Sequence, residues 1–185
     1  MKLNIRRKAK KRLPARDRQP FVVPANINQT WSMDFVSDSL WNGKRYRVLN
    51  IIDDFSREAL AIEVGTSISS HRVVRVLNQL RKEGLKPKTI RVDNGPEFIS
   101  RTFRRYCLDN EITIQHIQPG KPVQNGFIER FNGSYRKELL DLWVFKDLYE
   151  VEELTEKYRR EYNDIRPHNA LNNQPPSKYK LNAIL

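Results

Sequence analysis

Apolar residues recur with period two in three successive short runs between Thr30 and Val64, and with a period near 3.6 from Ser69 onward. Trp31, Met33 and Phe35 alternate with Ser32, Asp34 and Val36; Tyr46 to Ile52 is almost continuously apolar; Ala59, Ala61 and Ile62 lead into Val64. Asn42-Gly43 and Asp53-Asp54 fall between the runs as turn chemistry, so the three strands are expected to form an antiparallel meander. A helix follows, with Val73, Val74, Val76, Leu77 and Leu80 on one stripe, Ser69 or Ser70 as its cap and Gly84 as its stop. The pattern then predicts a strand over Thr89–Val92 and a second helix carrying Ile99, Phe103, Tyr106 and Cys107, capped by Ser100. A short strand over Ile112–Gln115 and two helices over Val123–Leu142 and Val151–Asn163 complete it.

Three meander strands followed by helix, strand, helix, strand, helix define an α/β fold: a mixed five-stranded sheet with two parallel strands and helices on both faces. The parallel crossovers set the fourth strand beside the first. Residues 1–29 are expected to be a basic arm and linker, 30–165 a single core, and 166–185, with Pro167, Pro175 and Pro176, an irregular tail.

The 185 residues suffice for one domain, and a 38% hydrophobic content is enough for its core. A formal charge of +12 favours a polyanionic partner, because each neutralised phosphate releases a condensed counterion. Nine Lys and Arg against Asp17 place +8 of that charge in residues 1–18, which reads as an arm making non-specific phosphate contacts. The one cysteine, Cys107, lies in an apolar helical pattern and reads as a core thiol, excluding an internal disulfide and a cysteine metal site. His71, His116 and His168 are scattered, which argues against a histidine base or zinc site. Neither a signal-peptide core nor an apolar run long enough for a membrane span is evident, so a cytoplasmic location is expected, on the nucleoid when DNA is bound.

Asp34 sits in mid-strand on the face opposite Trp31, Met33 and Phe35, where an unpaired carboxylate is costly. Asp93 ends the fourth strand and leads into an Asn94-Gly95-Pro96 turn at the lip of the sheet, where open α/β sheets place their sites. Glu129 lies 36 positions later on a helix where Gly133 and Arg136 share its face. Each alone has an ordinary structural explanation. Together, carboxylates from a strand, a strand end and a helix make an oxygen-only set suited to Mg²⁺ or Mn²⁺ and to two-ion phosphoryl transfer.

The runs Trp31-Ser32-Met33-Asp34-Phe35, Asp53-Asp54-Phe55-Ser56-Arg57, Asp93-Asn94-Gly95-Pro96-Glu97-Phe98 and Gln124-Asn125-Gly126-Phe127-Ile128-Glu129-Arg130-Phe131-Asn132-Gly133 resemble the catalytic core of DDE transposases related to retroviral integrases. The 35 residues between Asp93 and Glu129 match that family's spacing, and Arg136 falls where it carries a basic residue. Tyr162-Asn163, Arg166-Pro167-His168, Ala170-Leu171 and Pro176 look like the end of second-reading-frame transposases of bacterial insertion sequences.

The resemblance implies an RNase H-like fold, two Mg²⁺ or Mn²⁺ ions on Asp34, Asp93 and Glu129, and DNA cleavage followed by strand transfer from a freed 3′-hydroxyl. DNA contacts are expected from Lys121, Asn125, Arg130, Arg136 and Lys137, and a homo-oligomer is expected on DNA. Asp53, Asp54 and Arg57 match as a strand-turn feature without a catalytic role, and Glu97 is a candidate neighbour of the site. Relatives of this kind carry a helix-turn-helix region before the core, where this chain has only its basic arm. Two readings follow, a truncated frame or an isolated catalytic fragment, either of which implies a separate helix-turn-helix polypeptide that finds element ends. An RNase H-fold nuclease and an idle DNA-binding remnant are the alternative functions.

Overall fold

The computed structural model describes residues 24–118 and 125–184. The expected basic arm and Lys121 lie outside them. Among the described residues β1 (Thr30–Ser39), β2 (Arg45–Asp53), β3 (Ala59–Gly65), β4 (Thr89–Val92) and β5 (Thr113–His116) form one sheet in the order β3-β2-β1-β4-β5. The first three strands are antiparallel, while β4 and β5 run parallel to β1 and to each other. This is the mixed RNase H-like arrangement expected, with β1 at its centre. Gly43 makes the first turn possible with φ +80, and the Asn42 side chain closes it by accepting from the Lys44 N–H at 3.0 Å.

The helices sort by face. On one face α1 (Ser70–Lys82), α2 (Pro96–Ile99) and α3 (Arg101–Asp109) bury Val73, Leu77, Phe98, Phe103 and Cys107 against Trp31, Met33, Leu49 and Ile90. Burial pushes the Cys107 thiol up to about 12, so it is an inert core group. On the other face α4 (Gly126–Glu138) and α5 (Leu148–Asp164) bury Ile128, Phe131, Tyr135, Val151 and Tyr158 against Val36, Val48, Ile52 and Val64.

Four expectations need correction. The second helix is two: Ser100 is extended (φ −63, ψ 151) and its hydroxyl accepts from the Phe103 N–H, so it caps α3 and leaves Ile99 behind, 43% exposed. The helix expected to run to Leu142 ends at Glu138, because Leu139 (φ −127) breaks the path before a 3-10 turn over Leu140–Leu142. The next helix begins earlier than its apolar stripe, at Leu148, because Asp147 caps Glu150 N–H at 3.0 Å while the Glu150 carboxylate reaches back to Lys146 N–H at 2.7 Å. Finally, the tail is not irregular throughout: it contains a 3-10 turn over Asn169–Leu171 and α6 (Pro176–Ile184). Pro176 occupies the helix's first position, where its missing N–H costs nothing.

The tail packs onto the core through Lys180 to Glu58 at 2.8 Å, the Ser177 hydroxyl donating to Asn163 C=O at 2.9 Å, and Tyr179 against Phe55. Asn163 itself closes the free edge of β3: its amide accepts from Ala59 N–H at 2.8 Å and donates to Ala59 C=O at 3.0 Å. Both Ala59 groups point away from β2 and would otherwise lack a strand partner. Asn163→Ala is therefore expected to lower unfolding free energy by about 2–3 kcal/mol, read as a fall in the urea midpoint at unchanged slope.

Candidate functional site

Asp34 occupies the central strand on the face that α4 covers. It is half-buried, and each carboxylate oxygen has a partner: Oδ1 accepts from the Phe35 N–H at 2.8 Å and Oδ2 from Asn132 Nδ2 at 2.8 Å. In the parallel pairing of β1 with β4, Ser32 stands beside Arg91. Continuing that register by two residues sets Asp34 alongside Asp93.

Asp93 is exposed just beyond β4, in a turn held at several points. Its Oδ1 accepts from Gly95 N–H at 2.8 Å, its carbonyl faces His116 Nδ1 at 3.1 Å, and Asn94 Nδ2 donates to Ile117 C=O at 3.3 Å. A Cβ at Gly95 would stand 2.9 Å from Asp93 Oδ1, so a larger residue there would displace that carboxylate. Glu129 is exposed in the first turn of α4, where the unpaired N–H groups of a helix start favour negative charge.

The Asp34 carboxyl is pushed up to about 6, first by burial and then by the charges of Asp93 and Glu129, against the opposing bonds from Phe35 and Asn132. Among the described residues no group of three His, Cys, Asp or Glu side chains is drawn close enough to hold an ion as it stands. Asp93 and Glu129 lie near enough for their charges to act on Asp34, and both are exposed where Asp34 is half-buried.

The Asp34 value fixes a sign. A folded carboxyl that ionises near 6 instead of 3.8 favours its protonated form, so its contribution to stability is complete below about pH 4 and is lost as pH rises through 6. The loss is at most about 3 kcal/mol. Asp34→Asn should remove that slope, leaving the metal-free protein as stable as wild type near pH 4 and more stable at pH 7 by thermal denaturation.

The other sequence candidates divide. Arg130 and Lys137 are exposed on α4 and available to a polyanion. Arg136 folds over the end of β1, where its guanidinium donates to Ser37 C=O at 2.8 Å and lies 3.6 Å from both Asp38 and Asp141. Asn125 is only 4% exposed, so it is a helix-start group and not a surface contact. Glu97 is paired with Arg47, whose guanidinium lies 4.0 Å from the centre of the Phe35 ring, and so braces the Asp93 turn against β2. Asp53 is consumed by its own turn: it accepts from the N–H groups of Phe55, Ser56 and Asn28. Asp54 is buried against Arg91 at 2.7 Å, and Arg57, at φ +62, lies over the Phe127 ring at the base of α4. His71 is exposed on α1, His116 meets the Asp93 carbonyl, and His168 packs on Tyr162 in the tail.

Two site residues escaped the sequence reading. Asn132 lies three positions after Glu129 within a quoted motif, and Asn50 is an amide in the apolar run of β2; a polar residue in a doubly covered strand was the available signal.

Residues 24–122 and residues 110–176 each match the integrase core domain family. A 39.2 kDa protein of insertion element IS476 from Xanthomonas euvesicatoria is 40% identical over 180 residues, 97% of this chain and 52% of its own length. A 31.7 kDa protein of insertion element IS407 from Burkholderia multivorans is 40% identical over 177 residues, 96% of this chain and 64% of its own length. The chain thus spans between half and two thirds of these relatives. Among solved structures, the HTLV-2 integrase catalytic core domain in complex with magnesium superposes with a TM-score of 0.64 at 19% identity, over 84% of this chain and 98% of that one.

Proposed function

The chain belongs to the integrase core domain family, and on that premise we propose that it is the catalytic core of a bacterial insertion-sequence transposase, cleaving DNA and joining the freed strand to a target. The observation that carries this reading is the half-buried Asp34 carboxyl on the central strand, raised first by burial and then by the charges of Asp93 and Glu129. A half-buried carboxyl held against two others disfavours its own ionised form, and a divalent cation relieves that repulsion. The donor set is oxygen alone, which fits Mg²⁺ or Mn²⁺. Asp34, Asp93 and Glu129 would hold two such ions, which when bound supply activation of a water or 3′-hydroxyl and stabilisation of the leaving oxygen.

The protein's own groups orient the reactants. Asp34 is fixed by the Phe35 N–H and the Asn132 amide. Gly95 leaves space beside Asp93, and the turn bonds to His116 and Ile117 hold that carboxylate at the lip of the sheet. Arg130 and Lys137, on the helix that carries Glu129, offer charge to the phosphates of a strand lying along α4. Arg136 joins them only by exchanging its bonds to the end of β1 for a phosphate. Recognition of element ends is assigned to another segment or polypeptide, and assembly on DNA to further copies of the chain. Among the described residues no helix is long and apolar enough to cross a membrane.

Incubation of the protein with duplex oligonucleotides and Mg²⁺ or Mn²⁺ tests the proposal. The expected products are a strand nick and a longer joined strand, both lost on chelation. Degradation of RNA in a hybrid without any joined DNA moves the assignment to a nuclease.

A further inference from the structure

Asn50 lies directly across from Asp34 in the antiparallel register of β1 and β2, on the same face of the sheet, and is 0% exposed. Its Nδ2 donates to Asn132 Oδ1 at 2.7 Å, and Asn132 Nδ2 in turn donates to Asp34 Oδ2 at 2.8 Å. The relay thus runs from a buried strand amide through a helix amide to the carboxylate. Asn132 sits one helical turn beyond Glu129 on α4, so the same bond that fixes Asp34 also sets the height of the helix carrying Glu129.

We propose that Asn50 is a positioning residue for the metal site: by donating to the Asn132 carbonyl it holds that amide in place against Asp34. This rests on Asp34, Asp93 and Glu129 being the ligand set. A side-chain amide presents a donor or an acceptor with almost the same shape, and its orientation is decided by its partners. An ionised Asp34 can only accept, so Asn132 must offer Nδ2 to it and Oδ1 to the other side. Asn50 supplies the donor on that other side. With an acceptor there instead, the Asn132 carbonyl faces another acceptor and loses that hold.

A second observation separates this role from simple core packing. The Asn50 Oδ1 is buried without a hydrogen-bond partner. A residue kept only for stability has no reason to be an amide here, since its strand neighbours on the same face are Val48 and Ile52 and an apolar side chain would leave no orphaned carbonyl. The amide is retained for its donor, in the manner of the groups that orient ligand carboxylates at metal sites.

Asn50→Leu, close in size, is the test, with Asn50→Thr, a good strand former too short to reach Asn132, as the companion should the first not fold. Three quantities are read on folded protein: melting temperature without metal, the Mn²⁺ midpoint followed by electron paramagnetic resonance, and the kcat and KM of DNA joining. The expected result is a melting temperature close to wild type, as apolar burial offsets the Asn132 carbonyl left without its donor, a Mn²⁺ midpoint raised about tenfold, and a kcat lowered tenfold or more with an unchanged KM for DNA. Asn50→Asp, which sets an acceptor against the Asn132 carbonyl, should exceed both in its effect on the Mn²⁺ midpoint. A variant that loses stability yet keeps the wild-type Mn²⁺ midpoint and kcat would overturn the proposal. If the wild type joins no DNA, the transposase reading fails, and the metal midpoint, which needs no turnover, still decides the role of Asn50.

Discussion

Asp93→Asn and Glu129→Gln are each expected to reduce DNA joining by roughly a thousandfold or more, while binding to a DNA duplex survives. Both changes keep size and hydrogen-bonding capacity and remove one negative charge from the group that surrounds Asp34. Both side chains are exposed, so neither change opens a cavity. In metal-free buffer the removed charge is one of the causes that raise the Asp34 carboxyl, so that carboxyl titrates below 6 in either variant, by carbon-detected NMR. Stability without metal is unchanged or slightly higher, and Mn²⁺ affinity falls. The combination is diagnostic. A carboxylate held for structure loses stability when neutralised, whereas a ligand loses metal and turnover. Wild-type joining in either variant would sink the two-ion reading, and loss of duplex binding together with joining would point to a general DNA contact.

The strand order was legible because it arises from local chemistry repeated at fixed intervals. The meander is written in the period-two runs and in Asn42-Gly43, and the place of β4 beside β1 follows from two parallel crossovers. Asp93 was visible because a turn must follow the strand that exposes it. What remained hidden depends on partners far apart in sequence. Nothing near Asn50 announces that it meets Asn132, 82 positions later, or that Asn163 will close β3 at Ala59, 104 positions earlier. Asn125 and Arg136 were expected as DNA contacts from the family resemblance, yet one is buried and the other spans the end of β1, because helix docking decides which side of a turn sees solvent. The tail was misjudged for a different reason. Prolines 175 and 176 break a helix when they fall inside it, and here the second of them begins one.

Asp54→Asn is expected to lower stability by about 3–5 kcal/mol, more than any other single polar change described above. The Arg91 guanidinium is 6% exposed and meets Asp54 at 2.7 Å, so neutralising the carboxylate leaves a buried positive charge without that counter-charge. Taking two charges out of water costs about as much as their mutual attraction returns, so the pair as a whole adds little to stability even though losing one partner is damaging. Asp54→Leu combined with Arg91→Met is then expected to be far milder than either single change, near wild type or above it in urea denaturation. A double variant as unstable as the singles would show the pair to be net stabilising. What the pair does supply is placement. It joins the turn after β2 to β4 two residues ahead of Asp93, across the strand that carries Asp34. The double variant should consequently keep its fold and lose DNA joining, because apolar packing restores the volume and leaves the register of Asp93 against Asp34 without its tie.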